Sequence, residues 1–289
     1  MEVYLYPNLS KRNCYEYTLE ACEILRQNGM GMSMHEKYSD IFKEVEGLRF
    51  SHDDEYVKDC DVMLAIGGDG TILKCALKAS KYQKPILGIN CGRLGFMASL
   101  EHSQLEDLAR LAQGDYSTSR RMMLNARVKG HEEVFYALND VVVSRSDDCK
   151  IADFEVIKDG KAVSCLRANG VIFSTATGAT AYSMSAGGPI IEPEMECIEY
   201  TQICPHSLFA RSMIFSAQSI INVVCHTGDN SHVCLNVDGN TVYRLSEGDE
   251  IIICRSPAYL DIIDINGGSF FASVNSKLMM PLKGSADQL

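Results

Sequence analysis

The stretch from Asp61 to Ile66 is apolar almost throughout and stops at Gly67-Gly68-Asp69-Gly70-Thr71, and this limits the fold more than any other feature of the chain. A short apolar run with no alternation suits a strand buried on both faces. The pattern after the glycines is helical, from about Thr71 to Ser80. Pro85–Asn90 repeats the device, a buried strand running into glycines. Upstream, Val3–Tyr6 and Met30–Met34 read as strands, with Gly29-Met30-Gly31 as a turn. Between them Ser10 is placed to cap a helix carrying Tyr15, Leu19, Cys22 and Leu25 and ending near Asn28-Gly29. Ser103–Gln113 reads as a helix with Leu105, Leu108 and Leu111 on one face. Strands alternating with helices in this way predict a parallel sheet with crossover helices.

The texture changes between residues 100 and 120. Arg121–Val128, Val134–Ser144, Ala152–Ile157, Ala162–Arg167 and Gly170–Ser174 are successive strand-like runs. Asp159-Gly160 between two of them is a tight-hairpin signal. Ile220–His226, His232–Val237, Glu250–Arg255 and Tyr259–Ile265 continue the series. A short helix over Thr177–Ala186, stopped by Gly187-Gly188-Pro189, interrupts it. The expected fold class is an α/β N-terminal domain with a parallel sheet followed by a β-rich domain of two packed or coiled sheets. A length of 289 residues agrees with two domains, divided at about 1–105 and 106–265.

Composition narrows the function. Basic residues number 27 against 38 acidic, a net charge of −11, which argues against a nucleic-acid footprint but leaves room for a small phosphate ligand held by backbone amides. No apolar run reaches the roughly 18 residues of a membrane span, and Met1–Tyr6 lacks the pattern of a signal peptide. The 12 cysteines show no CxxC spacing, so reduced, mostly buried thiols are expected. The 7 histidines show no metal-ligand spacing.

Four segments carry chemistry. In the first, Gly67–Thr71, glycines let a ligand approach the backbone and helix-start amides favour phosphate oxygens. Asp69 would repel a bare phosphate but suits a hydroxyl that must lose its proton, or a magnesium ion bridging to phosphate. Alternatively it caps the helix of a tight strand-to-helix turn. The second segment, Gly88–Met97, also leaves the C-terminal end of a strand, with Phe96 as a pocket wall or a core aromatic. The third is Leu138-Asn139-Asp140-Val141, where Asn139 can pair with a purine edge and Asp140 can accept from ribose hydroxyls, or both can serve a turn. The fourth is Ser174–Pro189, crowded with small and hydroxyl residues around Tyr182, which can stack on a base or nicotinamide ring. It could equally be a tightly packed small-residue helix. Arg167-Ala168-Asn169 lies just upstream.

In this order and spacing the segments resemble the NAD kinase family over roughly residues 60 to 265. GGDGT alone is shared with diacylglycerol, sphingosine and phosphofructokinase-type kinases. Asn139-Asp140 matches the family's NE/D motif, and TATGATAYSMSAGGP is similar to its TPTGSTAYSLSAGGP segment. Val237-Asp238-Gly239-Asn240 resembles the DGQ element with Asn240 in the glutamine position. The resemblance implies a C-terminal segment, 266–289, returning to the first domain, NAD in the cleft between domains, and transfer of the ATP γ-phosphoryl group to the adenosine ribose 2′-hydroxyl to give NADP. Asp69 becomes the general base. Gly68, Gly70 and Thr71, helped by Lys74, hold phosphate. Asn139 and Asp140 hold the adenosine end, and Lys150, Arg167 and Asn169 lie near the second half of NAD or a neighbouring subunit. Phe96, Thr177, Thr180, Ala181, Tyr182, Ser183, Met184, Ser185 and Asn240 line the dinucleotide pocket, and Mg²⁺ arrives with ATP.

Asn169 stands where the family usually has aspartate, Ala176 replaces a usual proline and Ala179 a usual serine; none of these touches Asp69. The resemblance further implies a homodimer or homotetramer with no nucleic-acid or membrane partner, and the absence of export signals implies a cytoplasmic location. Two rivals remain: a non-catalytic NAD(P)-binding sensor, suggested by Asn169 and Ala179, and a diacylglycerol-type lipid kinase sharing GGDGT.

Overall fold

The computed structural model describes residues 1–52, 54–92, 95–146, 151–207, 210–226, 233–268 and 270–279, without the side chains of 272 and 276–279. The chain divides into two units, Met1–Ser119 with the residues from Asp261 on, and Arg120–Leu260.

In the first unit β1 (Glu2–Pro7), α1 (Cys14–Gln27), β2 (Gly31–His35), α2 (Ser39–Phe42), β3 (Leu48–Ser51), α3 (Glu55–Asp59), β4 (Val62–Gly67), α4 (Asp69–Lys81) and β5 (Ile86–Asn90) follow in chain order. All five strands are parallel, in the order β5-β4-β1-β2-β3. β4 is buried at every residue, as its apolar run demands. The inward face of α1 is Cys14, Thr18, Ala21, Cys22, Ile24 and Leu25, with Leu19 half-buried against the same core; of the expected face only Tyr15 is exposed. Ser10 does not cap this helix. Its hydroxyl is turned to Asn8 Oδ1 (2.7 Å), and Asn13, in the left-handed region at φ 62°, forms the helix boundary. The expected helix at Ser103–Gln113 is a 3₁₀ stretch, His102–Leu108, passing into α5 (Ala109–Gln113), with Leu105, Leu108 and Leu111 buried.

The second unit takes most of β6 (Ser117–Val128), then β7 (Phe135–Ala137), β8 (Asp140–Arg145), β9 (Ala152–Lys158), β10 (Lys161–Ala168), β11 (Gly170–Ser174), α6 (Tyr182–Ser185), β12 (Cys197–Ile203), β13 (Met213–Ser216), β14 (Ile221–His226), β15 (Val233–Val237), β16 (Asn240–Leu245) and the start of β17 (Glu250–Asp264). One sheet runs β13-β12-β11-β8-β15-β16, antiparallel throughout. Facing it are β10, β9, β14, the first half of β17, β6 and β7. The core between them holds Phe154, Val156, Val223 and Ile251 from one side and Val143, Phe173, Tyr200 and Leu235 from the other. Asp159-Gly160 makes the expected two-residue hairpin, both residues at positive φ (49° and 76°).

Two expected strands, Glu250–Arg255 and Tyr259–Ile265, are one 15-residue strand, β17, which runs through Pro257. Proline lacks a ladder donor, and Pro257 is exposed, so the strand continues past it. β17 starts in the second unit and ends in the first, where Ile262 pairs with Ile86 of β5 and Ile263 and Ile265 enter the core. A last helix, α7 (Phe270–Met279), follows.

Candidate active site

In the first unit the sheet order reverses between β1 and β4, because β2 and β3 lie to one side of β1 and β4 and β5 to the other. Open parallel sheets bind ligands outside the carboxyl ends of strands at such a switch. The carboxyl ends meeting there are Pro7-Asn8 and Gly67-Gly68, with Pro7 in register with Ile66. Asn8 ties them together: its amide donates to Ile66 O (2.9 Å) and its side chain to Thr71 Oγ1 (3.0 Å).

Asp69 is the first residue of α4, after the N-cap Gly68. Its side chain leaves the helix for the loop beyond β5, where Phe96 N donates to Oδ2 (2.8 Å) and Met97 N to Oδ1 (3.3 Å). Gly95 makes this seat possible, since a Cβ there would come within 2.0 Å of Asp69 Oδ1. The carboxylate is therefore fixed in direction and remains only half-buried. A Cβ at Gly68 or at Gly70 would meet no protein atom within 4 Å. Packing within the protein does not require glycine at either place, and the space over the loop is open to a ligand. Thr71 turns inward instead. It is 2% exposed, its amide donates to Gly68 O (2.7 Å) and its hydroxyl accepts from Asn8, so it shapes the loop and does not front it. Lys74 is exposed one turn on, and Phe96 is half-buried.

In the second unit Asn139, Asp140, the 177–185 segment and Asn240 gather at one end of the six-stranded sheet, whereas Asn169 stands at the opposite end of β11 and Arg167 on β10. Asp140 opens β8 opposite Ser174, the last residue of β11, and Ser174 pairs in turn with Glu199 of β12. Thr175 stitches the next turn to Asn139: its amide donates to Asn139 O (2.9 Å) and its hydroxyl to Leu138 O (2.6 Å). Gly178 lies so close that a Cβ would sit 2.1 Å from Asn139 O. The expected helix at Thr177–Ala186 is consequently broken. Residues Gly178–Thr180 form a 3₁₀ turn, Ala181 leaves helical geometry (φ −102°, ψ −123°), and α6 follows. The pinning to Asn139 overrides the helical tendency of the segment.

Two polar atoms at this end are buried without a hydrogen-bond partner, Asn139 Oδ1 and Thr177 Oγ1. Leaving such atoms unpaired costs on the order of 1–3 kcal/mol each, and a bound polar ligand would satisfy them. Thr180 is buried and its hydroxyl donates to Thr177 O (3.3 Å). Tyr182 is 46% exposed, Ser185 is exposed, and Ala181 and Met184 are half-buried. Ser183 alone in this run is fully buried, its hydroxyl donating to Glu199 Oε1 (2.7 Å), which removes it from any ligand surface.

Asp238, which lies in the Val237–Asn240 element but took no site role from the sequence, is held from the start of β8. Its carboxylate accepts from Leu138 N (2.9 Å), Asn139 N (2.9 Å) and Asp140 N (3.1 Å). Burial pushes its pKa up while the three amides pull it down. Asp140, 6% exposed, is pushed up to about 7, first by burial and then by the charge of Asp238. Asp238-Gly239, a hairpin signal with φ of 46° and 77°, was the available clue. Asn240 is exposed, its side chain donating to Asp238 O (3.2 Å). Arg167 is exposed on β10 and forked onto Asp153 (2.8 Å at both contacts), which raises its pKa. Asn169 is half-buried between β10 and β11, its amide donating to Ile203 O (2.9 Å). Lys150 lies outside the described residues. Of the 12 cysteines, 11 are described, and all of those are free.

Comparison with known proteins matches residues 5–116 to the model of the ATP-NAD kinase N-terminal domain and residues 138–265 to that of the ATP-NAD kinase C-terminal domain. The chain is 35% identical over 277 residues to an NAD kinase of Caldanaerobacter subterraneus subsp. tengcongensis, covering 94% of this chain and 96% of that one. It is 35% identical over 280 residues to an NAD kinase of Caldicellulosiruptor bescii, covering 96% and 99%. Among solved structures, yeast NADH kinase complexed with NADH superposes with a TM-score of 0.87 at 22% identity, over 99% of this chain and 89% of that one. An NAD kinase from Archaeoglobus fulgidus in complex with ATP gives a TM-score of 0.72 at 22% identity, over 96% and 97%. At that identity the two structures speak for the fold.

Proposed function

The chain belongs to the NAD kinase family, and on that premise we propose how its own residues carry out the phosphorylation of NAD by ATP. The 2′-hydroxyl of the adenosine ribose attacks the γ-phosphorus, its proton passes to the Asp69 carboxylate, the new O–P bond forms, and the bond to ADP breaks. Phosphoryl transfer asks a protein mainly for positioning and charge stabilisation. The observation that carries the assignment is the setting of Asp69: two backbone amides hold it in one direction at the mouth of an open glycine loop.

Gly68 and Gly70 leave room for phosphate oxygens at the start of α4, where the helix dipole favours an anion. Lys74 adds a cation one turn on. Mg²⁺ enters as part of the MgATP substrate, held by its phosphates. Asn139 Oδ1 and Thr177 Oγ1 are the unpaired atoms that NAD would satisfy, with Asp140 accepting from ribose hydroxyls and the exposed ring of Tyr182 stacking on the dinucleotide. Arg167, already paired with Asp153, is left to the far half of NAD or a neighbouring subunit. A homodimer or homotetramer working in the cytoplasm completes this reading. No helix among the described residues is long and apolar enough to cross a membrane.

The test is an assay with ATP, Mg²⁺ and NAD in which an NADP-specific dehydrogenase reports product. NADP formation that follows enzyme concentration is expected. Tight NAD binding without turnover would instead make the protein a sensor, and phosphorylation of diacylglycerol without NADP would make it a lipid kinase.

A further inference from the structure

One carboxyl group in the second unit is fully buried and has no part in the reaction above. Glu199, on β12, is 0% exposed. Ser174 Oγ donates to its Oε2 (2.8 Å); Ser183 Oγ (2.7 Å) and Thr201 Oγ1 (3.0 Å) donate to its Oε1. Thr201 Oγ1 is also 2.9 Å from Ser212 Oγ, which ties the group to the segment leading into β13. Gly188 closes over it, since a Cβ there would lie 2.1 Å from Glu199 Oε1 and 2.4 Å from Ser183 Oγ.

The two serines are the two ends of one loop. Ser174 ends β11, and Ser183 lies in α6; between and beside them stand Thr177, Thr180 and Tyr182. A hydrophobic residue would fill the space beneath this loop at less desolvation cost than a glutamate. What the glutamate adds is a direction: one oxygen faces the entry of the loop and the other its exit, so the carboxyl group fixes the distance between them. Fixing Ser183 inward also fixes its neighbour Tyr182 outward on the short helix, because adjacent helical residues point to different sides.

We propose that Glu199 is a positioning residue for the dinucleotide: it clasps the 174–183 loop shut and holds Thr177, Thr180 and Tyr182 at the spacing NAD requires. The proposal rests on the reading that this loop binds NAD, and the test separates the two. Glu199→Leu removes both acceptors and cuts the link between Ser174 and Ser183, although Ser183 keeps Thr201 Oγ1 within 3.0 Å; the KM for NAD then rises about tenfold or more while the KM for ATP changes less than about twofold. Glu199→Gln keeps an acceptor for Ser183 and offers an amide to Ser174, and it restores the KM for NAD to within about threefold of the wild type. Should Glu199→Leu fail to fold, the double variant Ser174→Ala with Ser183→Ala opens the clasp from the other side and gives the same selective loss. Equal rises in both KM values, or a lowered Tm with both KM values unchanged, would reduce Glu199 to a packing residue and overturn the proposal. Tyr182→Ala is the control: a KM for NAD unmoved by that change removes the loop from the NAD site and the proposal with it, whereas a raised KM beside a silent Glu199→Leu rejects the clasp alone.

Discussion

At each candidate site an aspartate is seated on backbone amides. Asp69 receives Phe96 N and Met97 N from a loop beyond the next strand, and Asp238 receives Leu138 N, Asn139 N and Asp140 N. Beside Asp69 the positions of Gly68 and Gly70 are open, and the carboxylate is half-buried. Around Asp238 there is a second, buried carboxyl group, Asp140, and the turn above is packed by Gly178 against Asn139. Similar hydrogen bonds therefore serve different ends. Two amides on a carboxylate that still faces open space orient a group that can react. Three amides on a carboxylate packed beneath a turn orient the turn, and the chemistry passes to the side chains that the turn displays.

The sharpest way to break this contrast is Asp69→Asn. It keeps an acceptor for the loop amides and loses the base, so turnover should fall by roughly 10²–10⁴-fold with NAD binding retained. Steady-state rates together with calorimetric NAD titration check it, and a near wild-type rate would remove Asp69 from the mechanism. Asp238→Ala should do the reverse, lowering stability by about 3 kcal/mol or more as three amides lose their acceptor. Chemical denaturation measures that loss. A stable variant in which only turnover fell would place Asp238 with the reacting groups.

A matched pair of glycine substitutions sharpens the comparison further. Gly178→Ala drives a methyl group against Asn139 O, and the strain should cost about 1–3 kcal/mol of stability. Gly68→Ala meets no protein atom, so thermal unfolding should stay put while kcat/KM for ATP falls. The last contrast is in pH dependence. Asp140 is raised to about 7, so the native state keeps a proton that the unfolded chain has already released above about 4. Stability should therefore fall as pH rises from about 4 towards 7, with the loss complete above that window. Asp140→Asn should flatten the slope, and Tm measured from pH 5 to pH 8 checks the sign.

Much of the first unit was legible because its signals are local. An apolar run such as Val62–Gly67 has one structural outcome at that length, and the glycines after it mark where the helix begins. On α1 the expected face holds at Leu19, Cys22 and Leu25 and fails at Tyr15, whose place beneath the helix is taken by Cys14 and Thr18. Burial went to the residues that fit under the helix, with the Thr18 hydroxyl returned to Cys14 O (2.6 Å). The second unit was legible as strands and poorly legible as a site. The partners of Asn139 and Ser183 stand 99 and 16 residues away, at Asp238 and Glu199. Nothing in a linear pattern pairs them. The two strands expected on either side of Pro257 are one, because a proline is tolerated where its side of the strand is exposed.

β17 carries a consequence for synthesis on the ribosome. The second unit is one uninterrupted stretch, whereas the first lacks Ile262, Ile263 and Ile265 until the chain is nearly finished. Leu100 already covers the far end of the β5 margin, but throughout that interval its start at Ile86 lacks a partner strand, the kind of edge on which nascent chains aggregate. An amino-terminal fragment ending near residue 119 should accordingly be insoluble or short-lived. The same fragment should be rescued by a peptide carrying the last strand, a complementation that would turn this order of assembly into something measurable.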